Sequence, residues 1–224
     1  MKLGPGAFHL RHLLTVEEQL ALRDRCRALL DGPVPGYVPT VRGGGRMHVR
    51  MLCLGRHWNG RLYQYESTRA DFDGAPAPPM PGDFRALAQK VAAAAGMSLD
   101  PDICIMNFYD ADGRMGLHQD KDEHPRSIAA RVPVVSLSIG DTARFLIGGI
   151  RRRDPVDALL LESGDAFVFG GPSRLRYHGV SNHPAHRSSG SCHAGTLQSH
   201  VPPMGYLTGG RPLPAPSTVI RELA

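Results

Sequence analysis

At 224 residues with 42% apolar content, the chain can build one good-sized core, and a catalytic domain with a smaller N-terminal elaboration suits that length better than two independent domains. No apolar run approaches the roughly eighteen residues of a membrane span, and the first residues lack the basic, apolar and small-residue succession of a secretory signal, so a soluble, cytoplasmic monomer without membrane contacts is expected. A net charge of +5 gives modest attraction to polyanions without identifying one, and Cys26, Cys53, Cys104 and Cys192 lack paired spacing, which favours reduced, buried thiols over disulfides or a thiolate zinc site.

Thr15-Val16-Glu17-Glu18 has the form of a capping box, and Val16, Leu20, Leu22, Leu29 and Leu30 recur at helical spacing, so a helix is predicted over 16–30 and stops at Asp31-Gly32-Pro33. Residues 37–66 are rich in Arg, Tyr and β-formers and are broken by Gly43-Gly44-Gly45 and Asn59-Gly60, which reads as the strands and turns of a lid. Pro76, Pro78, Pro79 and Pro81 mark a linker loop, and a second helix follows over about 83–95, closed by Gly96. Short apolar runs then succeed one another at 103–109, 132–139, 143–147, 158–161 and 166–169, separated by Gly, Asp and Pro. Short strands at this spacing after two early helices predict a mainly β, α+β fold: a double-stranded β-helix, or jelly roll, with an N-terminal helix and hairpin lid. From Ser181 the chain turns to Ser, His, Gly and Pro without periodicity, which reads as a disordered tail. The expected organisation is therefore helices and lid over 1–100, catalytic core over 101–180, and an atypical tail over 181–224.

His118-Gln119-Asp120 sets two metal-ligand types on alternate residues, so on an extended strand both project from one face. Such a triplet also occurs as a polar pair at a strand edge. Here it lies between candidate strands, and a later strand start, Arg174 to Gly179, carries His178 just after Tyr177. Two histidines and one carboxylate form the facial triad of non-haem iron(II) oxygenases, which leaves three coordination positions for a bidentate co-substrate and dioxygen. His9, His12, His57, His183 and His200 have no such setting and read as surface or incidental.

Asn107-Phe108-Tyr109, Leu117-His118-Gln119-Asp120-Lys121-Asp122-Glu123, the 133–140 block PVVSLSIG, Gly164-Asp165 and Tyr177-His178-Gly179 together resemble the AlkB family of nucleic-acid demethylases, over about 46–180. The resemblance implies His118, Asp120 and His178 as Fe(II) ligands and Asn107 and Tyr109 as hydrogen-bonding partners of 2-oxoglutarate. It also implies that oxidation of an N-alkyl carbon in DNA or RNA releases an aldehyde and the repaired base, with no protein nucleophile and no catalytic residue beyond the ligands. An alkylated base must leave its stack to react, and the lid offers both aromatic surfaces and phosphate-binding cations. Arg42, Arg46, Arg50, Arg56 and Arg61 surround Trp58, Tyr63 and Tyr65, while Arg151-Arg152-Arg153 form a second basic cluster. Core packing is the plain alternative for Trp58 and Tyr65; the resemblance shifts Trp58 to stacking on the base. Asp122 suits the positive charge of a ring-methylated base, its alternative being a solvated loop carboxylate, and Arg152 is a further candidate for lining the base site. Two other readings stay open: hydroxylation of a protein or small molecule at the same iron site, and a nucleic-acid-binding chain without turnover.

The chain departs from the family pattern at its end. Relatives of the AlkB type close their fold with an Arg-x-Asn-x-Thr-x-Arg strand whose arginines clamp 2-oxoglutarate, and no such string occurs here; Arg187 and Arg211 sit among Ser, Gly and Pro. Codons for residues 196–204, read one nucleotide later, can encode Arg-Tyr-Lys-Val-Thr-Phe-Arg-Gln-Trp, and 186–195 can encode a Pro-Gly loop, so we infer a slipped reading frame near Ser181. Resequencing the gene across codons 178–206 is expected to recover both arginine codons in the shifted frame. An unbroken frame whose shifted reading lacks them sinks the inference.

Overall fold

The computed structural model describes residues 1–110 and 112–181 and the backbone of 195–200 and 217–218. In chain order the elements are β1 (Ala7–Leu10), α1 (Val16–Leu30), β2 (Arg50–Leu54), β3 (His57–Asn59), β4 (Gln64–Glu66), α2 (Gly82–Ala94), β5 (Ile103–Phe108) and β6 (Met115–His118). There follow α3 (Pro125–Ala129), β7 (Val134–Leu137), β8 (Ala143–Ile147), β9 (Asp157–Leu161), β10 (Ala166–Phe169), β11 (His178–Ser181), β12 (Gly195–His200) and β13 (Ser217–Thr218).

Both predicted helices form. The Thr15 hydroxyl accepts the Glu18 N–H and the Glu18 carboxylate accepts the Thr15 N–H, which completes the capping box of α1 and satisfies two donors that the helix leaves open. The strands make a major sheet in the order β1-β10-β7-β12-β5-β2, with β13 on β12, and a minor sheet in the order β6-β11-β8-β9; β3 and β4 form a separate hairpin. This is the expected double-sheet architecture.

Alternation along the strands divides the core. On β10, Ala166 and Val168 join the cluster that includes Phe84, Ala88 and Val91 of α2, while Phe167 and Phe169 turn the other way and meet Phe145 and Ile147 of the minor sheet. The Phe145 and Phe167 rings lie 4.8 Å apart, so the inner faces of the two sheets are in direct contact. His178, at the start of β11, packs 4.8 Å from the Phe169 ring and 6.0 Å from the Phe145 ring, so the site borders this interface.

Three features depart from the sequence reading. Residues 50–54, expected in the lid, pair along β5 as the edge of the major sheet, so only β3 and β4 supply lid strands. Residues 7–10, too short for a periodic signal, form β1 against β10, and with β2 they bring the 1–100 segment into the sheet and core of the catalytic part. The tail, expected to be irregular, contributes β12 between β5 and β7, where a missing strand would leave two rows of buried backbone donors and acceptors without partners. The rest of the tail expectation, including Cys192, Arg187 and Arg211, falls outside the described residues.

The Gly164-Asp165 pair has a structural explanation. Gly164 sits at φ +86°, and a Cβ there would meet the Gln19 amide at 2.3 Å and the Leu14 carbonyl at 3.0 Å, so the turn requires glycine. The buried Asp165 carboxylate then accepts the His12 N–H at 2.8 Å and the Glu162 N–H at 3.1 Å and lies 2.7 Å from Nε2 of His9. His9 is 3% exposed, which corrects its reading as a surface histidine. Removing the carboxylate leaves several buried polar groups without it. Asp165→Ala is expected to destabilise the fold by about 3 kcal/mol, measured by urea unfolding, whereas Glu162→Ala at the surface should cost under about 1 kcal/mol.

Candidate active site

The metal-ligand candidates are brought together by strand register. His178 of β11 pairs directly with His118 of β6, and their ring centroids are 4.4 Å apart. Asp120 follows two residues after His118, and its carboxylate oxygens stand 3.6 Å from Nε2 of His118 and 3.3 Å from Nε2 of His178. One ligand atom from each residue lies within 4.8 Å of the other two. Ligands about 2.1 Å from a shared ion and about 90° apart are about 3 Å from each other, so the spacing fits a facial triad.

The hydrogen bonds around the imidazoles agree. Nδ1 of His118 is 2.8 Å from the Gly116 carbonyl and Nδ1 of His178 is 3.1 Å from the Arg176 carbonyl, so in both rings Nδ1 carries the proton and Nε2 presents its lone pair towards Asp120. Burial, the largest influence, and the neighbouring His118 together hold His178 below the usual imidazole range, against the pull of Asp120. A neutral imidazole is the form that binds a metal ion. The donor set, its geometry and its protonation therefore suit Fe(II).

A second layer was missed by the sequence reading. Arg174 is 1% exposed; its guanidinium donates to the Asp120 carbonyl at 2.5 Å and lies 3.1 Å from the Glu123 carboxylate, itself buried. This ion pair fixes the backbone on which Asp120 is carried. Glu123 belongs to the distinctive His-Gln-Asp-Lys-Asp-Glu run, but nothing in that string identifies Arg174, fifty-one positions later, as its partner. Gln119 adds a brace, its amide donating to the Leu175 carbonyl at 2.6 Å.

Above the triad opens a cavity of about 350 Å³ lined by His118, Asp120, Trp58, Tyr65, Asp122 and Arg152, with Tyr63, Met51, Met115 and Tyr177 among its other walls. All four residues predicted to meet substrate thus border one space. Trp58 donates its indole N–H to Asp122 at 2.8 Å, which ties the lid hairpin to the loop after the ligand strand, and Tyr63 packs edge-on to Trp58 at 5.9 Å. Arg152 stands over the Tyr177 ring at 5.5 Å. Arg42, Arg46, Arg50 and Arg61 are exposed around the lid, as are Arg151 and Arg153, whereas Arg56 is partly buried beside Asp102 at 3.8 Å.

Asn107 is fully buried, and neither atom of its amide has a hydrogen-bonding partner among the described residues. It pairs in register with Met51, which lines the cavity, so its side chain lies on the inner face of the major sheet. An orphaned buried amide is costly unless a ligand meets it, which fits the contact expected with 2-oxoglutarate. Tyr109 is buried nearby in sequence, its hydroxyl 4.0 Å from the Met115 sulfur.

Residues 6–205 match the 2OG-Fe(II) oxygenase superfamily. The DNA N(6)-methyladenine demethylase ALKBH1C of Arabidopsis thaliana is 42% identical over 194 residues, covering 80% of this chain and 42% of the relative, so the chain spans less than half the length of that protein. The alpha-ketoglutarate-dependent dioxygenase AlkB of Escherichia coli is 38% identical over 184 residues, covering 80% of this chain and 81% of the relative. Among solved structures, OsALKBH1 superposes with a TM-score of 0.78 at 36% identity, covering 88% of this chain and 97% of that one.

Asp120→Ala is expected to abolish Fe(II) binding in anaerobic calorimetry. Glu123→Gln, which keeps the shape but removes the charge facing Arg174, should weaken it about 10- to 100-fold.

Proposed function

Because the chain belongs to the 2OG-Fe(II) oxygenase superfamily, and within it to the AlkB family, we propose that it removes alkyl groups oxidatively from bases of DNA or RNA, using Fe(II), 2-oxoglutarate and dioxygen. The observation that carries this reading is the convergence of His118, Asp120 and His178 on one point, with His118 and Asp120 lining a cavity whose walls include Trp58, Tyr65, Asp122 and Arg152. Iron(II) with 2-oxoglutarate supplies dioxygen activation and hydroxylation of the N-alkyl carbon, the co-substrate leaving as succinate and carbon dioxide.

The protein's part is to hold and to select. His118, Asp120 and His178 would hold Fe(II) through two imidazole nitrogens and a carboxylate, a donor set that does not fill the metal's coordination. Asn107 and Tyr109 would hold 2-oxoglutarate by hydrogen bonds. A flipped base enters the cavity against Trp58 and Tyr65, and its unstacking is offset by contact with those rings. Asp122 faces the same space and favours a base that carries positive charge, as ring-nitrogen methylation produces. The exposed arginines of the lid and of 151–153 grip the phosphates, so binding should weaken steeply with salt.

This reading is preferred to hydroxylation of a protein or small molecule because the cavity joins aromatic walls to a rim of arginines, the pairing that nucleic-acid strands require. Turnover of 2-oxoglutarate is expected to require iron, to rise with short single strands carrying 1-methyladenine, 3-methylcytosine or N6-methyladenine, and to vanish in His118→Ala. Asn107→Ala should raise the KM for 2-oxoglutarate about tenfold. Asp122→Asn should reduce kcat/KM for the two cationic bases about tenfold while changing it little for neutral N6-methyladenine. Indifference to every methylated strand would argue against a demethylase.

A further inference from the structure

Behind the lid lies a buried polar cluster made of residues other than the metal ligands and the two residues assigned to 2-oxoglutarate. His57, read from sequence as incidental, is 1% exposed, with Nε2 2.5 Å from the Asp71 carboxylate. Its side chain also hydrogen-bonds the Cys53 thiol, and Cys53 is 2% exposed. Burial, the largest influence, pulls His57 down from its usual range, but hydrogen bonds and charge from Cys53 and Asp71 outweigh it and the net shift is upward. For Cys53 burial again acts most strongly, pushing the thiol up, and His57 with the Trp58 N–H outweighs it and brings the thiol below its ordinary value. Tyr37 completes the cluster, its hydroxyl 3.6 Å from the Cys53 sulfur and its ring 4.6 Å from that of His57.

The cluster converges on one residue. Cys53 accepts the backbone N–H of Trp58, and the Tyr37 hydroxyl donates to the Trp58 carbonyl at 2.8 Å. In the β3–β4 hairpin Trp58 pairs with Tyr65, and a residue whose N–H and C=O are engaged elsewhere occupies a non-hydrogen-bonded site, where both groups turn away from the partner strand. Those two groups would otherwise face a buried interior. With the indole N–H bound to Asp122, every polar group of Trp58 is held by a residue outside its own hairpin.

The cluster is itself clamped by the segment that leads into the proline-rich linker. Arg69, 1% exposed, donates through Nε to Asp73 at 3.0 Å and stacks over the rings of Tyr37 at 5.6 Å and Phe72 at 4.9 Å. Its backbone N–H bonds the Ala75 carbonyl at 2.8 Å, closing the turn that delivers Asp71 to His57. Three ionisable side chains and a phenol buried together are expensive where apolar packing would serve. Their geometry matches a demand for directed hydrogen bonds to one strand residue.

We propose that Tyr37, Cys53, His57 and Asp71 are positioning residues that fix the backbone, and hence the ring plane, of Trp58 as a wall of the base slot. The inference rests on the reading of that cavity as a base site. It assigns substrate affinity to residues that never touch the substrate. Loss of one link frees the Trp58 peptide to tilt, and the ring loses its alignment with a base stacked in the slot.

Trp58 is the chain's single tryptophan, so intrinsic fluorescence reports on it alone. The test measures emission maximum and iodide quenching of the iron-free protein, together with its affinity for a short single strand carrying one methylated base. Tyr37→Phe, His57→Gln and Cys53→Ala are expected to move the emission to longer wavelength, to raise quenching by iodide, and to weaken binding about five- to tenfold. Cys53→Ser, which keeps an acceptor for the Trp58 N–H, should restore both. Melting temperatures measured alongside identify any variant that fails to fold, and the conservative Tyr37→Phe and Cys53→Ser carry the decision in that case. Wild-type emission, quenching and affinity in folded variants would overturn the positioning role. If the variants do loosen Trp58 but the wild-type chain binds methylated and unmethylated strands equally, the base-slot reading falls and the positioning of Trp58 stands.

Discussion

The direct pairing of His118 with His178 across β6 and β11 is the constraint from which the rest of the site follows. Side chains alternate along a strand, so a slip of one residue in this pair would turn one imidazole to the opposite face and dissolve the triad. The register is held from both sides. β11 also pairs with β8 over four consecutive residues, His178 to Ser181, and the His178 ring packs 4.8 Å from Phe169 of the facing sheet. The irregularity between His178 and Val180 then lets β11 follow β8 while its pairing with β6 shifts. Metal geometry is thus a by-product of sheet packing.

Burying a carboxylate beside two imidazoles is costly, and the protein surrounds it with further charge instead of apolar packing. Arg174 and Glu123 form a pair that is almost wholly desolvated, an arrangement that contributes little net stability but is expensive to break. Its effect is to fix the position of the backbone carrying Asp120, through the hydrogen bond to the Asp120 carbonyl. The same logic recurs behind the lid, where His57 and Asp71 sit in a place that apolar side chains could fill. Both clusters exchange stability for placement, one on the metal side of the cavity and one on the base side.

What the sequence made legible follows the physical range of each signal. α1, with its cap and its stop, was readable because capping and helical periodicity are local, and β8 to β10 because each is an apolar run between breakers. His118 and Asp120 were readable from a spacing of two, and His178 from its place at a strand start. The four-residue β1 was not, being too short to show a pattern, and β2 was assigned to the lid because its composition resembles that of its neighbours while its pairing partner β5 lies some fifty residues away. His57 and Arg174 escaped for the same reason. Their roles are defined by Asp71 and Glu123, whose proximity arises only from the fold.

The end of the chain separates two requirements that an arginine-bearing strand would satisfy together. Strand β12 lies between β5 and β7 and pairs with both, so its neighbours supply partners for its backbone whatever side chains it carries. Its sequence, GTLQSH, contains no arginine. Closing the sheet is a backbone matter and can proceed without one. Gripping the far carboxylate of 2-oxoglutarate is a side-chain matter and calls for a fixed cation. His118, Asp120, His178 and Asn107 all precede Ser181, so the metal ligands and the buried amide are encoded upstream of the segment that departs from the family pattern; co-substrate affinity is what that departure bears on.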